Sequence, residues 1–151
     1  MRVPESIISL CFAVSLPLAG QSTGVTGVRG LAFGTVFPGV SRVVVRTDAA
    51  NSGQFDLKAH PGATASLTFL LPAVMTGPAG ATMTLVFGAN DAGFSASQSI
   101  NSQVAFDPRT PYLATFSGNR ASVFLGGTAN PSTAQRAGNY TGTITLTVVF
   151  F

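Results

Sequence analysis

Acids, thiols and imidazoles are scarce in this chain: one histidine (His60), one cysteine (Cys11) and five carboxylates, Glu5, Asp48, Asp56, Asp91 and Asp107. General acid–base catalysis needs such groups held together in one pocket, yet these fall mainly in separate stretches of turn-forming sequence. Asp48 and Asp107 read as turn formers, because a short carboxylate bonds its own backbone two residues on. Asp56 is expected to face Arg42, Arg46 or Lys58 across a hairpin, an exposed pairing worth little. His60 ends an alternating stretch on its polar side and reads as a surface histidine. Zinc would need several His or Cys ligands. Asn90–Asp91 offers oxygen ligands, but the spacing of a helix–loop–helix calcium site is absent, and a turn is the simpler reading. There is no Gly-x-Ser-x-Gly and no phosphate-binding loop. Gly24, Gly27 and Gly30 recur at three-residue spacing as a flexible lead-in. A non-enzymatic protein with no cofactor and no metal is the expectation.

The basic residues do not make a nucleic-acid site either. The net charge is +3, and Arg29, Arg42, Arg46, Lys58, Arg109, Arg120 and Arg136 are scattered without forming a stripe. Asn139-Tyr140-Thr141 matches the glycosylation triplet, but it opens a strand, and such triplets arise often by chance.

What must position these residues is a chain of 151 residues, 46% hydrophobic and only 9% charged, with 17 Gly, 9 Pro, 12 Phe and no Trp. Soluble domains average roughly 25% charged residues, so Ser and Thr must keep this surface wet. A coiled coil is excluded by the Gly and Pro content, and no long amphipathic helix is available to cover a parallel sheet. Residues 1–20 read as an export leader: Arg2 gives a positive start, Ile7 to Leu18 an apolar run, and Pro17, Ala19 and Gly20 the approach to a cut near Gly20–Gln21. That run falls short of the roughly 20 residues needed to span a bilayer. A lipoprotein reading fails because Leu10, not a small residue, precedes Cys11. The leader takes away one cation, one anion and the only cysteine, leaving a mature domain over residues 21–151 that crosses an oxidising compartment without a disulfide.

Period-two alternation dominates from Val28 onward. Phe55, Leu57 and Ala59 alternate with Gln54, Asp56, Lys58 and His60, and Val43 and Val45 with Arg42 and Arg46. Ala65, Leu67, Phe69 and Leu71 form another apolar set, ended by Pro72, which cannot donate to a ladder. Met83–Leu85–Phe87, Val104–Phe106, Tyr112–Ala114–Phe116 and Val123–Leu125 follow. Between them lie clusters of Gly, Pro, Asn and Asp. The expected fold is all-β: an antiparallel, immunoglobulin-like sandwich of about eight or nine short strands with a Phe-rich core.

The last residues carry the most information. Tyr140, Gly142, Ile144, Leu146, Val148 and Phe150 share one face of a strand of about eleven residues, and Thr141, Thr143, Thr145 and Thr147 share the other. Its Val148–Val149–Phe150–Phe151 end has neither charge nor proline, and such an edge aggregates if left unpaired. The strand must therefore lie inside a sheet or be held by a partner. Counted from the C-terminus, an aromatic is penultimate, apolar residues alternate, and Gly138 is fourteenth. This pattern resembles the end of chaperone–usher pilin subunits. Gly138-Asn139-Tyr140-Thr141-Gly142-Thr143 resembles the end of spore coat protein U-type domains. Gly30-Leu31-Ala32-Phe33-Gly34, with Gly126-Gly127-Thr128, is similar to the bacterial domain of unknown function 4402.

These resemblances imply an immunoglobulin-like, pilin-like sandwich at the bacterial surface, stabilised by its C-terminal strand and open to assembly by strand donation. The chain departs from the pilin pattern in having no disulfide and a poor N-terminal donor, since Gln21 to Arg29 offers only Val25 and Val28. Either it accepts a strand without giving one, or it completes its own sandwich; the second is slightly preferred. The expectation is thus a non-enzymatic, secreted or surface-assembled structural subunit of fimbrial or coat type, reached through the periplasm. Gly138, Tyr140, Ile144, Leu146, Val148 and Phe150 are its assembly residues. Expected partners are other surface subunits or further copies of itself, with a periplasmic chaperone and usher if such a system serves it, and neither nucleic acid nor stable membrane insertion. The alternative is a carbohydrate- or ligand-binding adhesin-like module using Tyr112, Phe94 or Phe37. A small outer-membrane β-barrel ranks last, because the face shared with Phe151 turns to Thr147, Thr145 and Thr143, and aromatic girdles are missing.

Overall fold

The alternating stretches form strands, and the Gly, Pro and Asx clusters form the turns between them. A computed structural model describes the backbone of residues 7–15 and all of residues 22–151. The strands are β1 (Ile7–Ser15), β2 (Gly24–Arg29), β3 (Arg42–Val44), β4 (Gly53–Lys58), β5 (Thr64–Leu70), β6 (Val74–Thr76), β7 (Thr82–Val86), β8 (Ala92–Ser95), β9 (Val104–Phe106), β10 (Tyr112–Thr115), β11 (Arg120–Leu125), β12 (Gly127–Asn130) and β13 (Thr141–Phe150). One 3-10 turn, Pro78–Gly80, separates β6 from β7.

Two sheets pack face to face in an antiparallel β-sandwich. The smaller has the order β2-β4-β11-β8-β9. The larger runs β10-β5-β13-β6-β7-β12-β3, with β1 added beside β13. Every pairing is antiparallel except that of β1 with β13, which is parallel. The segments outnumber the eight or nine expected because several are only three or four residues long.

β5 and β6 act as one bent strand along the same edge of β13. A strand has two edges, and Thr141 is paired both with Ile7 and with Thr76. The unbroken β1 therefore holds one edge, while β5 and β6 hold the other. Four steps along β13, from Thr145 to Thr141, correspond to six from Leu70 to Thr76. The extra residues bulge at Leu71–Ala73 around Pro72, whose missing N–H could not join the ladder.

Between the sheets lies a core in which Phe33, Phe55, Phe87, Phe94, Phe106, Phe116 and Phe150 are all buried. Its rings touch in sequence: Phe150 against Phe116, Phe116 against Phe94, Phe94 against Tyr112, Tyr112 against Phe106, Phe106 against Phe69 and Phe69 against Phe55. Each buried ring contributes roughly 1.5–3 kcal/mol of transfer free energy. The alternation expected for β4, β7 and β13 holds throughout.

It is inverted in β3, where Val44 is buried and Val43 and Val45 are exposed. Pairing of Val44 with Gly127 sets that phase. Val104 is likewise exposed while Phe106 is buried.

The chain changes sheets at Gly126, between β11 in one layer and β12 in the other. A Cβ there would collide with the carbonyl oxygen of Val44 and lie 2.7 Å from the Arg46 nitrogen. Backbone cannot yield as a flexible side chain can, so only glycine fits this corner.

Candidate functional site

Strong alternation makes β13 one-sided. Ile144, Leu146, Val148 and Phe150 are buried, while Thr141, Thr143 and Val149 are exposed and Thr145 and Thr147 half-buried. One edge pairs Thr145–Phe150 with Leu70–Ala65. The chain end is fixed too, because Phe151 N–H donates to the Thr64 carbonyl at 2.9 Å. Phe151 itself points outward, 73% exposed.

The other edge carries β1 in a nine-residue parallel register, Ile7 beside Thr141 through Ser15 beside Val149. This register places Leu10, Phe12 and Val14 next to Ile144, Leu146 and Val148. Sequence reasoning took this stretch only as a leader. Its own alternation of large residues with Ser9, Cys11, Ala13 and Ser15 was the available signal. The expected cut at Gly20–Gln21 lies outside the described residues.

The entry to β13 is pinned by a buried polar cluster. Tyr140 is fully buried, and its hydroxyl donates to the Arg136 carbonyl at 2.7 Å while accepting from Gln135 Nε2 at 2.7 Å. Gln135 Nε2 also donates to the Thr82 carbonyl at 3.0 Å, and its Oε1 accepts from Ser132 N–H at 3.1 Å. A buried amide left without partners would cost about 1–3 kcal/mol; here its oxygen and its nitrogen are both engaged. The tyrosine ring covers Gly77, where a Cβ would stand 2.6 Å from it. Gly138 lies at φ +151°, and a Cβ on it would run into the ring of Pro78. Gly138, Tyr140 and the four apolar residues of β13 thus form one continuous structural unit. Gln135 and Gly77 belong to it as well; nothing in their local sequence marks them out.

The scattered polar groups stay scattered. Asp48 closes a turn, accepting from the N–H groups of Ala50 and Asn51 and from Asn51 Nδ2. Those bonds, the Asn51 side chain first, hold its carboxyl below the usual range. Asp107 accepts from the Arg109 guanidinium at 2.8 and 2.7 Å and from its N–H at 2.9 Å. Arg109 pulls it down to about 2. Asp91 accepts from Gly88 N–H. Asp56 does not meet Arg42, Arg46 or Lys58: it accepts from Ser122 Oγ at 2.7 Å and Gln54 Nε2 at 3.1 Å. The β4–β11 register, which sets Ser122 directly opposite, dictates this. His60 is exposed, with Nδ1 3.0 Å from its neighbour's carbonyl, Pro61 O.

Of the aromatics considered as sugar platforms, Phe94 is buried. Tyr112 is half-buried and stacked on Phe106 at 4.2 Å. Phe37 is exposed beside a hollow of about 140 Å³ shared with Val40 and Arg42. Small-molecule sites usually enclose about 300–1,000 Å³. Among the described residues, no three His, Cys, Asp or Glu come together, and no helix is long and apolar enough to cross a membrane.

Residues 23–150 match the model of a family described as Domain of unknown function (DUF4402). The match spans most of the chain, and the chain belongs to that family. No curated protein matches it.

Proposed function

We propose that this chain is a non-enzymatic structural subunit of fimbrial or coat type, exported through the periplasm to the bacterial surface. β13 serves in it as both core strand and assembly strand. The observation that carries the reading is the occupancy of the two edges of β13. One is held by β5 and β6 of the same domain, and the other by residues 7–15, the stretch whose sequence reads as an export leader. Loss of that leader would leave a long edge without charge or proline, which soluble monomers avoid and assemblies use. The pilin-like spacing of Gly138 and the alternating tail supports the same role.

Fractionation of cells expressing the intact gene tests this. The expected result is a processed chain, beginning near Gln21, that is accessible to protease on whole cells. An unprocessed chain confined to the cytoplasm would sink the proposal. The paired substitution Leu146→Asp with Val148→Asp should abolish surface display, with a soluble fluorescent fusion partner reporting that synthesis and export still start.

A further inference from the structure

We infer that Lys58 and Arg120 form a binding site for a phosphate monoester at one corner of the smaller sheet. The site goes beyond the structural role proposed above and depends neither on export nor on β13. The basic residues lie scattered along the sequence, but the β4–β11 register sets two of them directly opposite each other, Arg120 against Lys58. Both are exposed. The neighbouring rung is closed by a hydrogen bond from Ala59 N–H to the Asn119 carbonyl at 3.2 Å. Hydrogen-bonded and non-hydrogen-bonded rungs alternate in an antiparallel ladder. Lys58 and Arg120 therefore occupy the second kind, in which Cα atoms approach to about 4.5 Å and side chains are closest. Like charges placed directly opposite destabilise a sheet.

No carboxylate among the described residues neutralises the pair. The one ion pair there joins Arg109 to Asp107. Asp48 is engaged by Ala50 and Asn51, and Asp91 by Gly88 N–H. Asp56, two residues along β4 from Lys58, is engaged by Ser122 and Gln54. The aspartates of a second copy are committed in the same way, so the counter-ion comes from outside. The approach is open: on its β2 side Lys58 faces Gly24, where an added Cβ would meet nothing within 4 Å.

Two adjacent cations match a ligand with two negative charges. The guanidinium offers a planar fork for two oxygens of one anion, and the ammonium adds a compact charge for a third. A phosphate monoester carries about −1.5 to −2 charges at pH 7 and presents three strong acceptor oxygens. A carboxylate carries a single charge and would leave one cation unmatched.

The test titrates the intact chain with inorganic phosphate at constant ionic strength and follows amide resonances by NMR. Shifts should saturate at Lys58, Arg120 and Gly24, at concentrations at least tenfold below those needed with acetate. Lys58→Gln and Arg120→Gln should each weaken binding at least fivefold, whereas Arg42→Gln, in the other sheet, should change it less than twofold. Shifts of equal size beside Arg42 and Arg136 would mark general screening and overturn the site, as would equal affinity for acetate. The parent titration decides this even where a variant fails to fold. Two further probes distinguish the source of the phosphate. Capture by phosphatidylcholine vesicles carrying phosphatidic acid would support a lipid headgroup. Binding of glucose 1-phosphate without vesicle capture would support a soluble or polymer-borne ester. Equal capture by vesicles carrying phosphatidylglycerol, a singly charged diester, would overturn selectivity for the monoester.

Discussion

Gly77 lies against the ring of Tyr140, so close that a Cβ would stand 2.6 Å from the ring carbon Cε1. The contact joins the end of β6 to the start of β13, and the hydroxyl at the far side of the same ring ties residues 135 and 136 into the core. A methyl group at Gly77 must push the ring off its partners. Gly77→Ala should lower unfolding free energy by on the order of 3 kcal/mol. Tyr140→Phe, which leaves the Arg136 carbonyl without its donor, should cost about 1–3 kcal/mol. Urea denaturation of both variants checks the pair, and equal stability to the parent would show that the ring is not packed as described.

Gly138 and Pro78 form a second such contact, and it invites a double-mutant cycle. Gly138→Ala should destabilise by about 2 kcal/mol or more, through the clash and through its φ of +151°. Pro78→Ala removes the ring that blocks the new methyl. The double variant should therefore recover part of the loss while keeping the backbone strain. Strict additivity would show that Pro78 is not the obstacle.

The one-sidedness of β13 predicts a sharp contrast along a single strand. Leu146→Ala should cost about 2–5 kcal/mol, the range for emptying a packed core site. Thr143→Val, on the exposed face, should change stability by less than about 0.5 kcal/mol. Denaturation midpoints of the two variants measure this directly, and similar losses at both positions would contradict the assigned faces.

Acid should weaken the protein through its turn carboxylates. The Asp107 pKa is depressed from 3.8 to about 2 by Arg109, and that of Asp48 is lowered chiefly by the Asn51 side chain. A carboxyl with a depressed folded-state pKa binds protons more readily when unfolded. Its contribution is present above the ordinary value near 3.8 and lost as pH falls through about 2. The melting temperature should decline across that window. Asp107→Asn should flatten the decline, most visibly at low salt. An unchanged slope in that variant would remove Asp107 from the account.

Legibility in the sequence followed how cleanly each strand separates a wet face from a dry one. β13 and β4 alternate without interruption, so their buried residues could be read directly. β3 passes through Val43-Val44-Val45, a run with no phase of its own, and pairing with Gly127 decided which valine turns inward. β8 and β11 are covered on both faces: all four residues of one and Ala121 through Leu125 of the other are buried. Period-two reasoning therefore missed Phe124. Asp56 was assigned to a basic partner because charge is visible in a sequence and cross-strand register is not. Gln135 and Gly77 matter only because the loop before β13 folds back over β7, a placement no local pattern encodes.

The passage of the chain through Gly126 has a mechanical consequence. β11 and β12 form a single taut thread stitched through both layers, so neither layer can peel away while the other stays intact. The domain should melt in one cooperative step, with protection from hydrogen exchange rising and falling together on either side of that stitch.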